Sequence, residues 1–244
     1  MKIAVVCANF GDYDDINENP NIINKEKFDW FLFTDNKNLK SNFWTVITDP
    51  FYLDNNVDGI NNFTNLDKNN FIYPMMQAKY YKLQTHHILK SYDFFVWIDA
   101  SIIITNNNLV NDILVVLNQG KTELINFIHP ERNNIVDEKN LSLTMEKYNN
   151  QNLSKQVDDY INDGFAQYSL FWCGFFCRKN NDSINKIFDD WWFENVTKSF
   201  QDQISYPYVL WKNNKTPDHI IYQRMYNNQF LGKVNYPHKP HRKN

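Results

Sequence analysis

The sequence predicts one large α/β domain built around a parallel sheet that is buried on both faces, and three observations carry this. Phe94 to Ile98 is a run of large apolar residues without alternation, the pattern of a strand covered on both sides. That run ends in a single carboxylate, Asp99, followed by the small residues Ala100 and Ser101, and open α/β sheets bind ligands beyond the carboxyl ends of their strands. The chain of 244 residues is long enough to bury roughly three quarters of its unfolded surface, and no Gly/Ser/Pro-rich linker divides it. Asp99 itself reads two ways at this level, as a site residue or as the cap of an ordinary turn.

Composition narrows the function classes. The net charge of -3, with acidic and basic residues interspersed, leaves no basic footprint for a nucleic-acid partner. Cys7, Cys173 and Cys177 lie in apolar segments and read as small core residues, not as a disulfide framework. The opening MKIAVVCANF is too short an apolar run for a signal peptide, and no integral membrane segment is expected. A cytoplasmic location is the resulting expectation.

In chain order, a strand over Lys2–Ala8 delivers the turn Asn9-Phe10-Gly11-Asp12-Tyr13-Asp14, where a backbone with glycine can approach a nucleotide closely. There is no GxGxxG, so a dinucleotide fingerprint is absent. Phe28–Thr34, ending at Asp35, and Phe43–Ile47 read as the next strands, and residues 48–71 as a long Asn/Asp-rich loop able to close over a site. Tyr73–Ser91 is expected as one helix, with Pro74 in its first turn and Met76, Tyr80, Leu83 and His87 or Ile88 on one face. Lys79 and Lys82 lie off that stripe and read either as solvated charges or as cations for an anionic ligand at the sheet edge.

Beyond Asp99, a helix buries Leu109, Val110, Ile113, Leu114 and Leu117 and ends at Gly120. The strand Glu123–Ile128 delivers His129-Pro130-Glu131-Arg132. His129 and Arg132 suit an anion or sugar hydroxyls, or else His129 is a structural histidine and Arg132 pairs with Glu138. Polar helical sequence over Leu141–Asp163 ends at Gly164, and Tyr168–Cys177 is a further buried strand in which Gly174 marks a bulge or a close approach. Asn181–Thr197 reads as an amphipathic helix, with Asp202 opening the next helical segment. The tail is expected to hold a helix with Ile220, Ile221, Met225 and Tyr226, an apolar Phe230–Val234 stretch and a basic end. His238 and His241 in that end can close a metal or pyrophosphate site if it folds back. Trp172, Trp191, Trp192 and Trp211 read mostly as core.

Taken in this order, the strand and turn at Ala8–Asp14, the Asp99 strand, HPER at His129–Arg132, Gly164, the Gly174 strand with Arg178, and FDDWWFENVTKSFQDQISYPY resemble the plant mucilage-related glycosyltransferase-like family (DUF616). The likeness runs from about residue 3 to about residue 212. It implies a single GT-A-type, Rossmann-like domain over residues 1–244, with a mixed, mostly parallel sheet flanked by helices and a basic tail over 236–244. More distantly the chain is similar to glycogenin-like retaining glycosyltransferases, which implies specific positions. Asp99 then matches the first aspartate of a DxD motif, Gly174 the donor-lining glycine, Asp202-Gln203 the Asp-Gln pair beside the sugar, and His238-Lys239-Pro240 the metal-binding tail. Ser101 stands where the second aspartate of DxD is usual, and Gln201 where the plant-like family usually has arginine.

The implied activity is transfer of a hexosyl or uronosyl group from a nucleoside diphosphate sugar, expected to be a UDP-sugar, to a hydroxyl on a glycan or small molecule. Asp202 and Gln203 are the expected catalytic residues, with retention favoured over inversion. Ala8, Asn9, Phe10, Tyr13, Lys79, Lys82, Asp99, Ser101 and Gly174 would hold the donor, and His129 and Arg132 the acceptor side. Mn²⁺ or Mg²⁺ would sit between Asp99 and His238, filling its shell from diphosphate and water. Ser101 and Gln201 favour the competing class, a scaffold that binds a sugar nucleotide or glycan without turnover. A nucleotidyltransferase would be expected to carry a Gly-rich basic phosphate loop near the first strand, and none is present.

Overall fold

The computed structural model describes residues 1–48, 72–166 and 169–221. Its elements in order are β1 (Ile3–Asn9), β2 (Asp29–Thr34), β3 (Thr45–Ile47), α1 (Ile72–Leu83), α2 (Thr85–Ile88), β4 (Phe94–Ile98), α3 (Leu109–Leu117), β5 (Leu124–Ile128), α4 (Ile135–Ser142), α5 (Leu153–Asn162), β6 (Phe171–Lys179), α6 (Asp182–Thr197), α7 (Asp202–Lys212) and β7 (His219–Ile221). The strands form one seven-stranded sheet in the order β3-β2-β1-β4-β6-β5-β7. Among the described strands β6 alone runs against the rest, pairing antiparallel with both β4 and β5, while every other pairing is parallel. The α/β class and the mixed, mostly parallel sheet are thus as the sequence predicts.

Alternation along each strand divides the core into two layers. Ala4, Val6 and Ala8 of β1 and Phe95 and Trp97 of β4 pack beneath α1, α5, α6 and α7. Ile3, Val5 and Cys7, with Phe94, Val96 and Ile98, pack on the other face with α3. Both faces are covered, which is why these strands read as unbroken apolar runs. The period of two also aims Asp99, two residues beyond Trp97, toward the α1 layer. Cys7, Cys173 and Cys177 are buried free thiols, as expected.

Several boundaries differ from the expectation. The helix expected over 73–91 breaks at Gln84 into α1 and α2. The Thr85 hydroxyl donates back to the Tyr81 carbonyl, and the buried Gln84 side chain donates to the Phe188 carbonyl on α6, so local side-chain bonds compete with the helical ladder. Helix α4 starts ahead of the expected 141, at the Asn134 cap, whose side chain accepts from the Asp137 N–H. Ile220 and Ile221 lie in an edge strand paired parallel with β5, not in a helix; β-branched residues suit that pleated surface. Gly174 marks a true bulge: the β5 register jumps from Asn126–Phe176 to Phe127–Trp172, with residues 173–175 of β6 between them. A Cβ on Gly174 would meet the Trp172 indole at 2.6 Å, so the close approach there is to the strand's own tryptophan. The loop expected over 48–71, apart from its first residue, and the tail from Tyr222, including His238, His241, Met225, Tyr226 and Phe230–Val234, lie outside the described residues.

Candidate functional site

The carboxyl ends of β1 and β4 open side by side beneath α1, and the described residues there bound a cleft of about 230 Å³. Its walls come from the turn after β1 (Ala8, Asn9, Phe10, Tyr13, Asp14), from α1 (Pro74, Met75, Ala78, Lys79, Lys82) and from the end of β4 (Trp97, Asp99, Ala100, Ser101). Lys147 and Asp202 complete them.

Each wall is fixed locally. The Asn9 side chain closes the first turn, donating to the Asp14 carbonyl at 2.6 Å and accepting from the Asp14 N–H at 3.2 Å. Gly11 has φ of 65°, and a Cβ there would strike Pro74 of α1 at 2.8 Å, so glycine is needed for both the turn and its contact with the helix. Both Asp35 oxygens at the end of β2 accept from the Gly11 N–H. The Asp99 backbone N–H donates to the Gly174 carbonyl at 2.9 Å, so Gly174 sits behind the cleft and supports Asp99 through the main chain.

The charges of the cleft are coupled. Lys79 and Lys82 lie one on each oxygen of Asp202, at 2.6 and 2.8 Å, and Lys82 also reaches Asp99 Oδ1 at 3.4 Å. The Trp97 indole N–H donates to the same Asp99 oxygen at 2.6 Å. Asp202 is 9% exposed, whereas Asp99 is 38% exposed and forms the open end of the cluster. Burial works against the Asp202 carboxylate, but Lys79 and Lys82 outweigh it and hold its pKa below the usual range. Burial likewise opposes the charge on Lys82, and Asp202 and Asp99 overcome it, raising that pKa. For Lys79 burial prevails and the pKa is lowered. Burial, then Asp99, push the Asp14 carboxyl up to about 6, with Lys147 opposing.

Of the residues expected at a site, Ala8, Asn9, Phe10, Tyr13, Lys79, Lys82, Asp99, Ser101 and Asp202 meet in this cleft. Gln203, one residue into α7 from Asp202, and Gly174 are not among its walls. His129 and Arg132 lie elsewhere and hold one another: His129 Nδ1 accepts from the Glu131 and Arg132 backbone N–H groups, while the Arg132 side chain pairs with Glu138. Gln201 belongs to the same buried network, donating to Glu138 and Ser142 and accepting from the Tyr148 hydroxyl. Asp14, Trp97 and Lys147 are cleft residues that sequence reasoning missed as site candidates. Trp97 had a signal, its position two before Asp99 on one face of a strand; Lys147 had none, since it follows no periodic pattern.

Among the described residues one trio of potential metal ligands converges, His86, His87 and Asp189, away from the cleft. Both imidazole Nε2 atoms approach the same Asp189 oxygen, at 3.0 and 3.1 Å. Arg178, however, is placed to donate to His86 Nδ1 at 3.1 Å, which puts the His86 proton on Nε2 and leaves that nitrogen no lone pair for a metal. The trio is a hydrogen-bonded cluster centred on Asp189.

A mostly parallel sheet with a charged cleft across the exits of adjacent strands defines an α/β protein of the class whose ligands bind beyond the carboxyl ends of the strands. The family model of the TOD1/MUCI70 glycosyltransferase-like domain matches residues 1–236, and the chain belongs to that family. Membership supports a general glycosyltransferase role and agrees with the family resemblance in the sequence. No curated protein matches the chain significantly. Among solved structures, a glycosyltransferase involved in glycosylation of the major capsid of PBCV-1 aligns over 93% of this chain and 82% of its own, at 9% identity and a TM-score of 0.44. The mannosyltransferase Ktr4p from S. cerevisiae aligns over 84% of this chain and 64% of its own, at 10% identity and a TM-score of 0.44. No helix of the described residues is long and apolar enough to cross a membrane.

Proposed function

We propose that this chain, as a single GT-A-type domain, transfers a sugar from a nucleoside diphosphate sugar, with uridine as the expected base, to a hydroxyl of a glycan or small-molecule acceptor. The observation that carries this reading is the convergence of Asp99, Asp202, Lys79 and Lys82 with the β1 turn in one cleft at the strand exits. The donor would lie across Ala8–Tyr13 with its diphosphate toward the lysines. In the reaction the bond between the anomeric carbon and the diphosphate oxygen breaks and its electron pair leaves with the nucleoside diphosphate. The acceptor oxygen bonds to that carbon and its proton passes to the departing phosphate or to water. Lysines beside the leaving group would stabilise the charge that develops there.

Asp202 suits an electrostatic task more than a proton-accepting one. Both its oxygens face lysines and its pKa is depressed, which makes it a weak base. That favours retention over base-assisted inversion, with Asp202 orienting Lys79 and Lys82 and stabilising positive character at the sugar. Asp99 and Asp14 carboxylates and the Ser101 hydroxyl are hard oxygen donors in the same cleft, a set that fits Mn²⁺ or Mg²⁺. Such an ion would relieve the repulsion between Asp14 and Asp99 and neutralise diphosphate charge. Asp14 would then serve where a second aspartate is expected and Ser101 stands.

The test is calorimetric titration with UDP and GDP, each with and without Mn²⁺, on the wild type and Asp99→Ala, followed by an assay for UDP release from UDP-sugars. Metal-dependent UDP binding weakened at least tenfold by Asp99→Ala, together with UDP release, is the expected result. No nucleotide binding overturns the donor-site assignment. Binding without release from any sugar, alone or with glycan acceptors, transfers the reading to a non-catalytic sugar-nucleotide module.

A further inference from the structure

Three lysines of the described residues line the cleft, and they are not equivalent. Lys79 and Lys82 are each within 2.8 Å of Asp202, so much of their charge is already answered inside the protein. Lys147 is half-buried in the cleft wall, and among the described residues no carboxylate comes within ion-pair distance of its ammonium. Its nearby contact is the Tyr148 ring, whose centroid is 5.0 Å away.

The backbone beneath Lys147 is firmly held. It sits in a single 3-10 turn, Glu146–Tyr148, and the next residue anchors that turn: Tyr148 is buried, packs on Phe200 at 5.2 Å and donates its hydroxyl to Gln201 at 2.8 Å. Phe200 and Gln201 immediately precede Asp202. The anchor therefore ties Lys147 to the start of α7, and among the described residues its ammonium is the cleft lysine without an ion pair.

We propose that Lys147 is a dedicated binding residue for the diphosphate of the donor, the cleft's charge reserved for an anionic ligand; this rests on the donor reading above. A half-buried ammonium without an ion-pair partner is costly, and a phosphate oxygen at hydrogen-bond distance offsets that cost. The electrostatics agree: burial, then repulsion from Lys79, lower the Lys147 pKa against the weaker pull of Asp202, Glu138 and Asp99, and an arriving anion would raise it again. Lys147 then discriminates nucleoside diphosphates from nucleosides, while the β1 turn contacts the nucleoside in either case.

The experiment is titration of the full chain, with and without Mn²⁺, with UDP, uridine and inorganic pyrophosphate, on the wild type, Lys147→Met and Lys147→Arg, with melting temperatures as a folding control. Lys147→Met is expected to weaken UDP and pyrophosphate at least tenfold, leave uridine unchanged and flatten the salt dependence of UDP binding. Lys147→Arg is expected to stay within about threefold of the wild type, because guanidinium also pairs with phosphate. A folded Lys147→Met that binds UDP as the wild type does overturns the inference and leaves the donor reading intact. If UDP binds the wild type no better than uridine, the inference also falls. If the wild type binds none of the three probes, the donor reading falls with it. Should Lys147→Met fail to fold, equal loss of UDP and uridine binding in a folded Lys147→Gln would overturn the assignment.

Discussion

Lys82 and Arg178 are both cations buried on the α1 side of the sheet, 5% and 0% exposed, yet they are compensated in opposite ways. Lys82 meets full negative charges, Asp202 and Asp99, and lies at the floor of a cleft. Arg178 meets neutral acceptors: Asn185 Oδ1 at 2.9 Å, His86 Nδ1 at 3.1 Å and the Leu83 carbonyl at 3.4 Å, with the Phe188 and Phe95 rings stacked about it at 4.2 and 4.8 Å. Its nearest charge partner acts through an intermediary, since Asp189 is hydrogen-bonded to His86. Burial lowers the Arg178 pKa, whereas the carboxylates raise that of Lys82. A closed polar cluster enclosed by aromatic rings fastens α2 and α6 to the sheet; a cluster with an exposed carboxylate at one end can exchange partners with a ligand. Burial of charge alone does not mark a site, and access to that charge does.

The largest effect should come from the closed cluster. Arg178→Met removes the donor shared by three acceptors, the Leu83 carbonyl and His86 buried and Asn185 partly so, and each buried acceptor left unpaired costs about 1–3 kcal/mol. A stability loss of about 3 kcal/mol or more is expected in urea unfolding, with nucleotide affinity unchanged in whatever fraction stays folded. A loss below about 1 kcal/mol would mean that the closed cluster does not fasten the fold, and the contrast with Lys82 would collapse.

Asp202→Asn should have an intermediate effect on stability and a severe one on function. It leaves Lys79 and Lys82 facing each other with only Asp99 nearby, for a destabilisation of about 2 kcal/mol. Adding Lys82→Met in the Asp202→Asn background should return part of that loss, and the double-mutant cycle should give a coupling of about 1–3 kcal/mol. Turnover should fall by two orders of magnitude or more in both single variants, because the lysines no longer hold their places beside the leaving group. Additive stability effects would show that the ion pairs are not coupled and would undo the account of Lys82.

The two clusters were also unequally legible in the sequence. Asp99 stood out because a buried strand ending in a lone carboxylate is a local pattern, and the β1 turn because glycine and asparagine there have local conformational uses. Asp202 was found through a family likeness, since an acid at a helix start is indistinguishable from a cap. Lys147 and Asp14 were not legible as site residues: their meaning depends on which charges face them across the cleft, which only the tertiary structure supplies. For His129 and Arg132 the residue types allow either anion binding or a structural pairing, and only the tertiary structure shows His129 satisfying a turn and Arg132 pairing with Glu138. The sheet was readable because both of its faces are buried and the apolar runs are continuous. The split at Gln84 was not, because it comes from a bond to α6, more than a hundred residues away.

The smallest effect should be a pH dependence that separates two acids of the same cleft. Burial and Asp99 raise the Asp14 pKa from 3.8 to about 6, so the folded protein holds that proton more tightly than the unfolded chain. Its stabilising contribution is complete below pH 3.8 and is lost as pH rises through about 6. Asp202 has the opposite sign: its pKa is depressed by Lys79 and Lys82 against the pull of burial, so its contribution is present above 3.8 and lost as pH falls through its folded pKa. Asp14→Asn should therefore be more stable than the wild type at pH 8, on the order of 1 kcal/mol after solvent screening, with the advantage vanishing near pH 4. Asp202→Asn should be less stable than the wild type at pH 8, with a deficit that narrows in acid. Melting temperatures of the three proteins between pH 4 and 8 read both trends at once. Parallel profiles for Asp14→Asn and the wild type would show that Asp99 and burial do not act on Asp14, and with that the case for a cation held between the two carboxylates would lose its electrostatic basis.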